Sequence, residues 1–337
     1  MVTTGEPVYR ETAVPGAILT RVARSHIRVG TFEYFSAQND HESLRTLADY
    51  VIERHYRRAF DATNPYSALL AGIVERQARL IARWMQIGFI HGVMNTDNMQ
   101  VAGETIDYGP CAFMDVFQSN GVFSSIDRHG RYAWDQQPVM AKWNLTRLAE
   151  ALLPMLSAQE ETAVAEAEAA LGRFSIHFDA EFVDGFRRKL GLMDHDEADA
   201  EFIESTLSTL AEQEVDFTLF FRHLTRVADG EDDGSLLRLF KNLDRARGWL
   251  AAWRERLQKD APGNKTRAAI MRGVNPIFIP RNHRVEEAIQ HGLAGDFAQF
   301  HRLVAVLANP YEEQVEHTEY ENAPLAEEKV HETFCGT

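Results

Sequence analysis

The chain has 337 residues, 45% of them hydrophobic, enough for one large or two ordinary domains with their own cores. A net charge of −15 argues against a nucleic-acid surface, and no apolar run approaches the roughly 18–20 residues that a membrane-spanning helix needs. Two cysteines, Cys111 and Cys335, are too few for a disulfide framework, and the first residues have neither a basic start nor an apolar stretch, so a reducing cytoplasm is the simplest home.

Residues 7–36 read as short strands. "PVYRE", "GAILTRVA" and "HIRVGTFEYF" are rich in β-branched and aromatic residues, and "AVPG" separates the first two. A sheet this small must pack on the helices C-terminal to it. From residue 39 the pattern turns helical: Asn39 and Glu42 have capping-box spacing, and Leu44, Leu47 and Val51 share a face. A stronger helix starts at Asn64-Pro65, with Leu70, Ile73, Val74, Ile81 and Trp84 as its buried stripe. Residues 88–137 break this rhythm and are rich in Gly, Asn, Asp and Ser, as loops that carry function often are. Helices then return at about 138–157, 159–172, 178–191, 196–213, 215–227, 235–258, 264–273, 283–294 and 296–308. "YEEQVEHTEYENAPLAEEKVHE" reads as a solvated, partly mobile acidic segment.

The irregular centre holds "HGVMNTDNM" (91–99) and, shortly after it, "IDYGP". Asn, Asp and Gly are ordinary turn formers, and "NTDN" alone would be a turn. But Asn98 and Asp107 are nine apart, which suits two short strands joined by the "VAGE" turn and aiming both oxygens at one point. One neutral and one charged oxygen suit Mg²⁺, which takes few protein ligands and completes its shell with water and phosphates. Protein kinases use such a pair, an Asn of the catalytic loop and the Asp of Asp-Phe-Gly. His91 to Asn98 has the kinase His-x-Asp-x-x-x-x-Asn span, and Tyr108 and Gly109 take the Phe and Gly places. The position of the general-base Asp is Val93, which can neither accept a proton nor orient a hydroxyl. A carboxylate reappears at Asp97. The loop is suited to a metal–nucleotide complex and not to ordinary γ-phosphoryl transfer.

These motifs, with "GRYAWDQQP", "TTGEPVYRE…GAILTRVARSHIRVGTFEYF" and "NPIFIPRNH", resemble the SelO (YdiU, selenoprotein O) family over essentially the whole chain. The resemblance implies a mainly α (α+β) chain with a protein-kinase-like fold, an incomplete N-lobe and a helical C-terminal half. It implies ATP bound in a flipped orientation and AMP transferred to Ser, Thr or Tyr hydroxyls of proteins, with Mg²⁺ or Mn²⁺. By it Asn98 and Asp107 are the metal ligands, Asp97 is the base or substrate-orienting group, and Arg21 and, less directly, Arg28 contact the nucleotide phosphates. Both arginines can serve only if the strand breaks near Ser25, since their odd spacing puts them on opposite faces.

Two departures go with it. The family's glycine-rich loop, nucleotide lysine and its glutamate partner have no counterpart here, so the chain is expected to be N-terminally truncated, with weakened nucleotide affinity and exposed apolar surface on its strands. Phe123 stands where many members have a cysteine that can pair with a C-terminal one, so Cys335 lacks that partner, and a Cys111–Cys335 bridge has no sequence support.

The expected division is 1–36 (N-lobe strands), 37–150 (kinase-like core with the metal/nucleotide loop), 151–310 (helical region) and 311–337 (acidic tail). Partners are ATP and hydroxyl-bearing proteins, without nucleic acid or membrane. The alternatives are an inactive pseudokinase-like binding or regulatory module and, disfavoured by Val93, a small-molecule phosphotransferase. Among the remaining motifs, His91 reads as a packing residue, Asp135 and Gln137 as supporting groups, and "DGEDDGSLLRLF" as an acidic turn because Phe240 occupies the place of the bidentate glutamate of a Ca²⁺ loop. Arg272 and Arg281 read as structural ion-pair partners, and Asn282 as a helix N-cap.

Overall fold

The computed structural model describes residues 2–9, 13–261 and 264–334. The described chain is mainly helical, with two small antiparallel sheets. The first is a hairpin of β1 (Val2–Tyr9) and β2 (Ala13–Ile18), registered Val2 to Ile18 and Tyr9 to Ala13. The second is a single step, β3 (Phe89–Ile90) against β4 (Ala112–Phe113).

The third expected strand is not one. Residues 19–27 form no strand, and Val29–Ala37 is helix α1, which buries Val29 and Phe32 in the main core. Tertiary packing overrides the β propensity of "VGTFEYF". The hairpin does not pack on the helical body either. Every residue of β1 is exposed, and Val2, Tyr9, Ile18, Leu19 and Val22 present apolar side chains to solvent, as expected for strands left uncovered.

Helix α2 (His41–His55) is capped by Asp40, which accepts from Ser43 N–H at 3.0 Å, and not by Asn39, which has a left-handed φ of 54°. Helix α3 (Pro65–Gln86) starts as expected, with Asn64 accepting from the Tyr66 and Ser67 amides, and all five expected stripe residues are buried. Helix α4 is Gln137–Leu156. The two helices expected at 159–172 and 178–191 are one 31-residue helix, α5 (Glu160–Leu190). Gly172 inside it costs about 1 kcal/mol of propensity. Phe174, Phe178, Phe182 and Phe186 offset this, stacking one turn apart at 5.9, 5.6 and 4.7 Å along the face turned to the core.

Beyond α6 (Asp199–Glu212) and α7 (Phe217–Ala228), the expected 235–258 helix is split into α8 (Gly234–Leu237) and α9 (Leu243–Leu257). Asn242 makes the break by capping α9, accepting from the Asp244 and Arg245 amides. Helices α10 (Asn264–Val274), α11 (Asn282–Leu293) and α12 (Ala298–Leu307) complete the order. One large core unites α1 to α9, and a satellite of Ile277, Phe278, Ala288, Leu303, Val306 and Tyr320 lies under the C-terminal segment.

That segment is not a free acidic tail. Glu313 meets Arg222 at 2.6 Å, Tyr320 is buried, and Thr333 pairs in parallel with Ser124. Cys335 and the Cys111–Cys335 question lie outside the described residues. The acidic turn is an ion-pair surface, with Asp229 bonded to Arg272 and Asp233 to Arg254. No described helix is long and apolar enough to cross a membrane.

Arg281 is among the most buried charges of this half. At 1% exposure it contacts Asp115 at 2.6 Å and Asp216 at 2.7 Å, and donates to the Glu321 carbonyl at 3.0 Å. Arg281→Met should therefore cost about 3–5 kcal/mol in urea denaturation, because two carboxylates are left buried without their cation. A loss below about 1 kcal/mol would show that water reaches them freely.

Candidate active site

The polar centre is assembled by backbone hydrogen bonds before any ligand is considered. His91, fully buried, is the hub. Its Nε2 donates to the Ile106 carbonyl at 2.8 Å, and its Nδ1 accepts from Val93 N–H at 3.4 Å. The ring is thereby the neutral Nε2–H tautomer, and burial holds its pKa below the ordinary imidazole value against the opposing pull of the Ile106 carbonyl and the Asp107 charge. It is a clasp between the two halves of the loop and has no nitrogen left for a metal.

Helices α3 and α4 hold the first half. Gln137 accepts from His91 N–H and donates to the Phe89 carbonyl, both at 3.0 Å. Asn144 donates to the Met94 carbonyl at 2.9 Å, and Gln77 to the Gln100 carbonyl at 2.6 Å. Gln137 was legible as a supporting group. Asn144 and Gln77 were not, although a lone carboxamide on the buried face of an apolar helix is the available signal. Gly92 has φ 82°, and a Cβ there would sit 2.8 Å from the Pro110 carbonyl oxygen, so the loop lies directly on the segment after Asp-Tyr-Gly.

The expected hairpin shrinks to one bridge, Met99 to Thr105. Asn98 ends a short 3-10 turn, Thr96–Asn98, capped by Asn95, whose Oδ1 accepts from Asp97 N–H at 3.0 Å. The Asn98 carboxamide donates through Nδ2 to the Val93 carbonyl at 2.9 Å, so its Oδ1 is the free end. Val93 takes part through backbone alone. Asp107 has a left-handed φ of 61°, a conformation uncommon outside glycine, directly after the carbonyl that His91 holds. No protein hydrogen bond or ion pair engages the Asp107 carboxylate among the described residues.

Asp107, Tyr108 and Arg21 line one open cleft of about 1160 Å³, with Arg24, Glu104 and Thr105. The chain is not a strand between Leu19 and Ile27, so the break near Ser25 exists; the Ser25 carbonyl is held by Gln100 Nε2. Arg28 is the N-cap of α1, bridged to Gln100, with a buried Nε that lacks a partner. Asp97 reaches the same helix start: a Cβ on Gly30 would be 2.6 Å from its Oδ1. The structure thus places Arg21 with Asp107 on one cleft, and Asp97 against the start of α1, whose N-cap is Arg28.

Among the described residues no three His, Cys, Asp or Glu side chains form a metal cage. The free Asn98 Oδ1 and the uncommitted Asp107 carboxylate are a hard-oxygen pair, which fits a cation that keeps water and phosphate in its shell. Cys111 is free and donates to the Tyr108 carbonyl at 3.2 Å; burial pushes its thiol up to about 11, which leaves little thiolate.

Comparison with known proteins decides the family. The model of Protein adenylyltransferase SelO matches residues 1–308. The chain belongs to the SelO family. Among its relatives, Protein nucleotidyltransferase YdiU of Rhizobium etli is 52% identical over 338 residues, covering 100% of this chain and 68% of that protein. The YdiU of Methylorubrum extorquens is 53% identical over 347 residues, 100% of this chain and 69% of its own. This SelO-family chain is therefore a member of a nucleotidyltransferase family, with ATP as the nucleotide at that level of description.

The His91 clasp makes a pH prediction for this SelO-family chain. A buried neutral imidazole with a lowered pKa contributes stability that is present above the unfolded value of about 6.5 and is lost as pH falls towards the folded one. Urea melts should show stability falling between about pH 7.5 and 5.5, and His91→Gln should make that fall shallower. It will not vanish, because His223, which burial and its neighbours Arg226 and Arg222 push down to about 4, has the same sign. An unchanged slope would mean that the His91 ring titrates freely in the folded protein.

Proposed function

We propose that this chain transfers AMP from ATP to hydroxyl groups of proteins through a kinase-like loop whose working residues are Asn98, Asp107 and Asp97. The observation that carries the reading is that Asn98 Oδ1 and the Asp107 carboxylate are both left free, on two segments clasped by one buried histidine, beside Val93 where a kinase base would stand. We further propose that the kinase-like core is residues 37–150, preceded by an N-terminal segment (1–36) whose strands are β1 and β2 alone, and followed by a helical region (151–310) and an acidic segment (311–337).

In this reading Asn98 and Asp107 hold a divalent cation, Mg²⁺ or Mn²⁺, which when bound supplies charge neutralisation for the triphosphate. Arg21, on the Asp107 cleft, draws the phosphates in, and Arg28, with its unpaired Nε, does the same from the α1 side. The hydroxyl oxygen of the protein substrate attacks the α-phosphorus. A new P–O ester bond forms, the bond to the β-phosphate bridging oxygen breaks, and pyrophosphate leaves. The hydroxyl proton goes to the Asp97 carboxylate, which carries no hydrogen bond from another side chain among the described residues. Charge stabilisation by preorganised groups supplies most of such a barrier reduction, so a weak base suffices.

A second reading is an inactive binding or regulatory module. It is favoured by the β1–β2 hairpin, which stands clear of the body with its apolar residues exposed. ATP labelled at the α or the γ phosphate separates the two. With Mg²⁺ or Mn²⁺, α-label should enter protein, and Asp107→Ala should lower incorporation by about 100-fold or more. Asp97→Asn should lower it by roughly 10²–10⁴-fold with nucleotide binding retained. Label from the γ position alone would sink AMP transfer, and no label together with no ATP-dependent thermal shift would leave the inert module.

A further inference from the structure

The acidic chain carries a concentration of positive charge outside the cleft described above. Arg54, Arg57, Arg58, Arg76 and Arg79, with His55, line a groove of about 640 Å³ formed by the end of α2, the 3-10 turn Arg57–Asp61 and the first half of α3. Glu75 is the acid in its lining, and it is tied to Arg79 at 2.8 Å. The other four arginines have no carboxylate partner among the described residues. On a chain of net charge −15, where arginines such as Arg83, Arg187, Arg245 and Arg254 are ion-paired, this is an unbalanced field.

The groove is built and not merely lined. The Tyr56 ring packs on Gly72, where a Cβ would lie 2.8 Å from it, and its hydroxyl donates to the Val101 carbonyl at 2.6 Å. Arg76 stacks over that ring at 4.1 Å and donates to the His55 carbonyl at 2.7 Å. Arg54 is fixed by the Arg24 carbonyl at 3.1 Å and the Tyr50 hydroxyl at 2.9 Å. Two guanidinium groups are thus oriented in advance, and Arg57 and Arg58 are free to close on a ligand. His55 Nε2 is buried with no hydrogen-bond partner. Burial first, then Arg54, Arg76 and Arg24, hold its imidazole below the ordinary pKa, so the ring reports the local positive field.

We propose that this groove binds a compact, multiply charged phosphate oxyanion of the pyrophosphate class, at a site separate from the Arg21–Asp107 cleft. Guanidinium forks match phosphate oxygens two at a time. The volume is that of a small-molecule site. Overall negative charge repels a long polyanion, whereas a compact ion feels only the field within about 8 Å at physiological salt. The site also touches the loop from behind. Arg76 donates to the Ala102 carbonyl at 3.4 Å and Tyr56 to that of Val101, both on the turn that joins Asn98 to Asp107. An occupant that draws on Arg76 therefore bears on that turn.

The test is titration calorimetry of the purified chain with inorganic pyrophosphate, metal-free with chelator, against sodium chloride of matched ionic strength. Saturable binding is expected, surviving Arg21→Ala and weakened by about tenfold or more in an Arg57→Glu/Arg58→Glu double variant, whose melting temperature should match the parent because neither side chain has a partner. In NMR titrations, saturating pyrophosphate should raise the His55 pKa. The proposal fails if binding persists in the double variant and disappears in Arg21→Ala, which would place the anion in the cleft. It also fails if chloride reproduces the effect, or if an oligoglutamate peptide binds the groove more tightly than pyrophosphate, which would make it a peptide-docking surface.

Discussion

One neutral imidazole fixes the relation between two loops. His91 donates to Ile106 and accepts from Val93, so the segment carrying Asn98 and the segment carrying Asp107 share a single rigid unit. The left-handed Asp107 is tolerated because the carbonyl before it is pinned. Backbone strain of this kind, about 1–3 kcal/mol per residue, persists only where the surroundings over-determine it. Gln137, Asn144 and Gln77 supply that surrounding, each satisfying loop backbone that would otherwise be buried and unpaired. Protonating His91 would remove its acceptor and place a charge in the core, which is why burial and function ask for the same tautomer.

A second polar assembly braces the loop from the far side. Asp115, four residues beyond Cys111, and Asp216, the cap of α7, converge on Arg281. Next to it, Asn282 does not cap its own helix. Its carboxamide exchanges two hydrogen bonds with the Phe113 backbone, acting as a strand neighbour for β4. The C-terminal segment closes over this, through Glu321 to Arg281 and Thr333 to Pro110. "NPIFIPRNH" is therefore a brace for the segment after Asp-Tyr-Gly, which explains why two distant polar motifs read as one signature.

Local patterns were reliable where one strong physical term dominated. The Asn64-Pro65 start and the buried stripe of α3 are visible in the letters, since capping chemistry and a 3.6-residue period both act within a few residues. The clasp that joins the two polar segments lies within a short stretch of chain, His91 to Ile106. Reading failed where distant packing decided. "VGTFEYF" is β-prone, yet α1 forms because Val29 and Phe32 find the main core. The helix expected to stop near 172 continues because Ala163, Ala167 and Ala170 before Gly172 and the phenylalanines from Phe174 onward after it bury one continuous face. The acidic C-terminal letters look solvated, yet they meet Arg222 and Arg281, partners far away in sequence.

By itself the sequence determined the chemistry on offer. It set a carboxamide, two carboxylates and a missing base within one loop, the family that this arrangement resembles, and a mainly α body. Residue identity and short spacing fix donor type and local period, and neither depends on the rest of the chain. Only the tertiary structure decided which oxygens are free. Asn98 could have presented either end of its carboxamide, and the Val93 carbonyl chose. Likewise it set Asp97 against the start of α1, gathered unpaired arginines from α2 and α3 into one groove, and seated the acidic C-terminal segment on buried cations. Those outcomes turn on which groups meet across the fold, where burial makes each unpaired polar atom costly and so selects the arrangement that leaves the fewest.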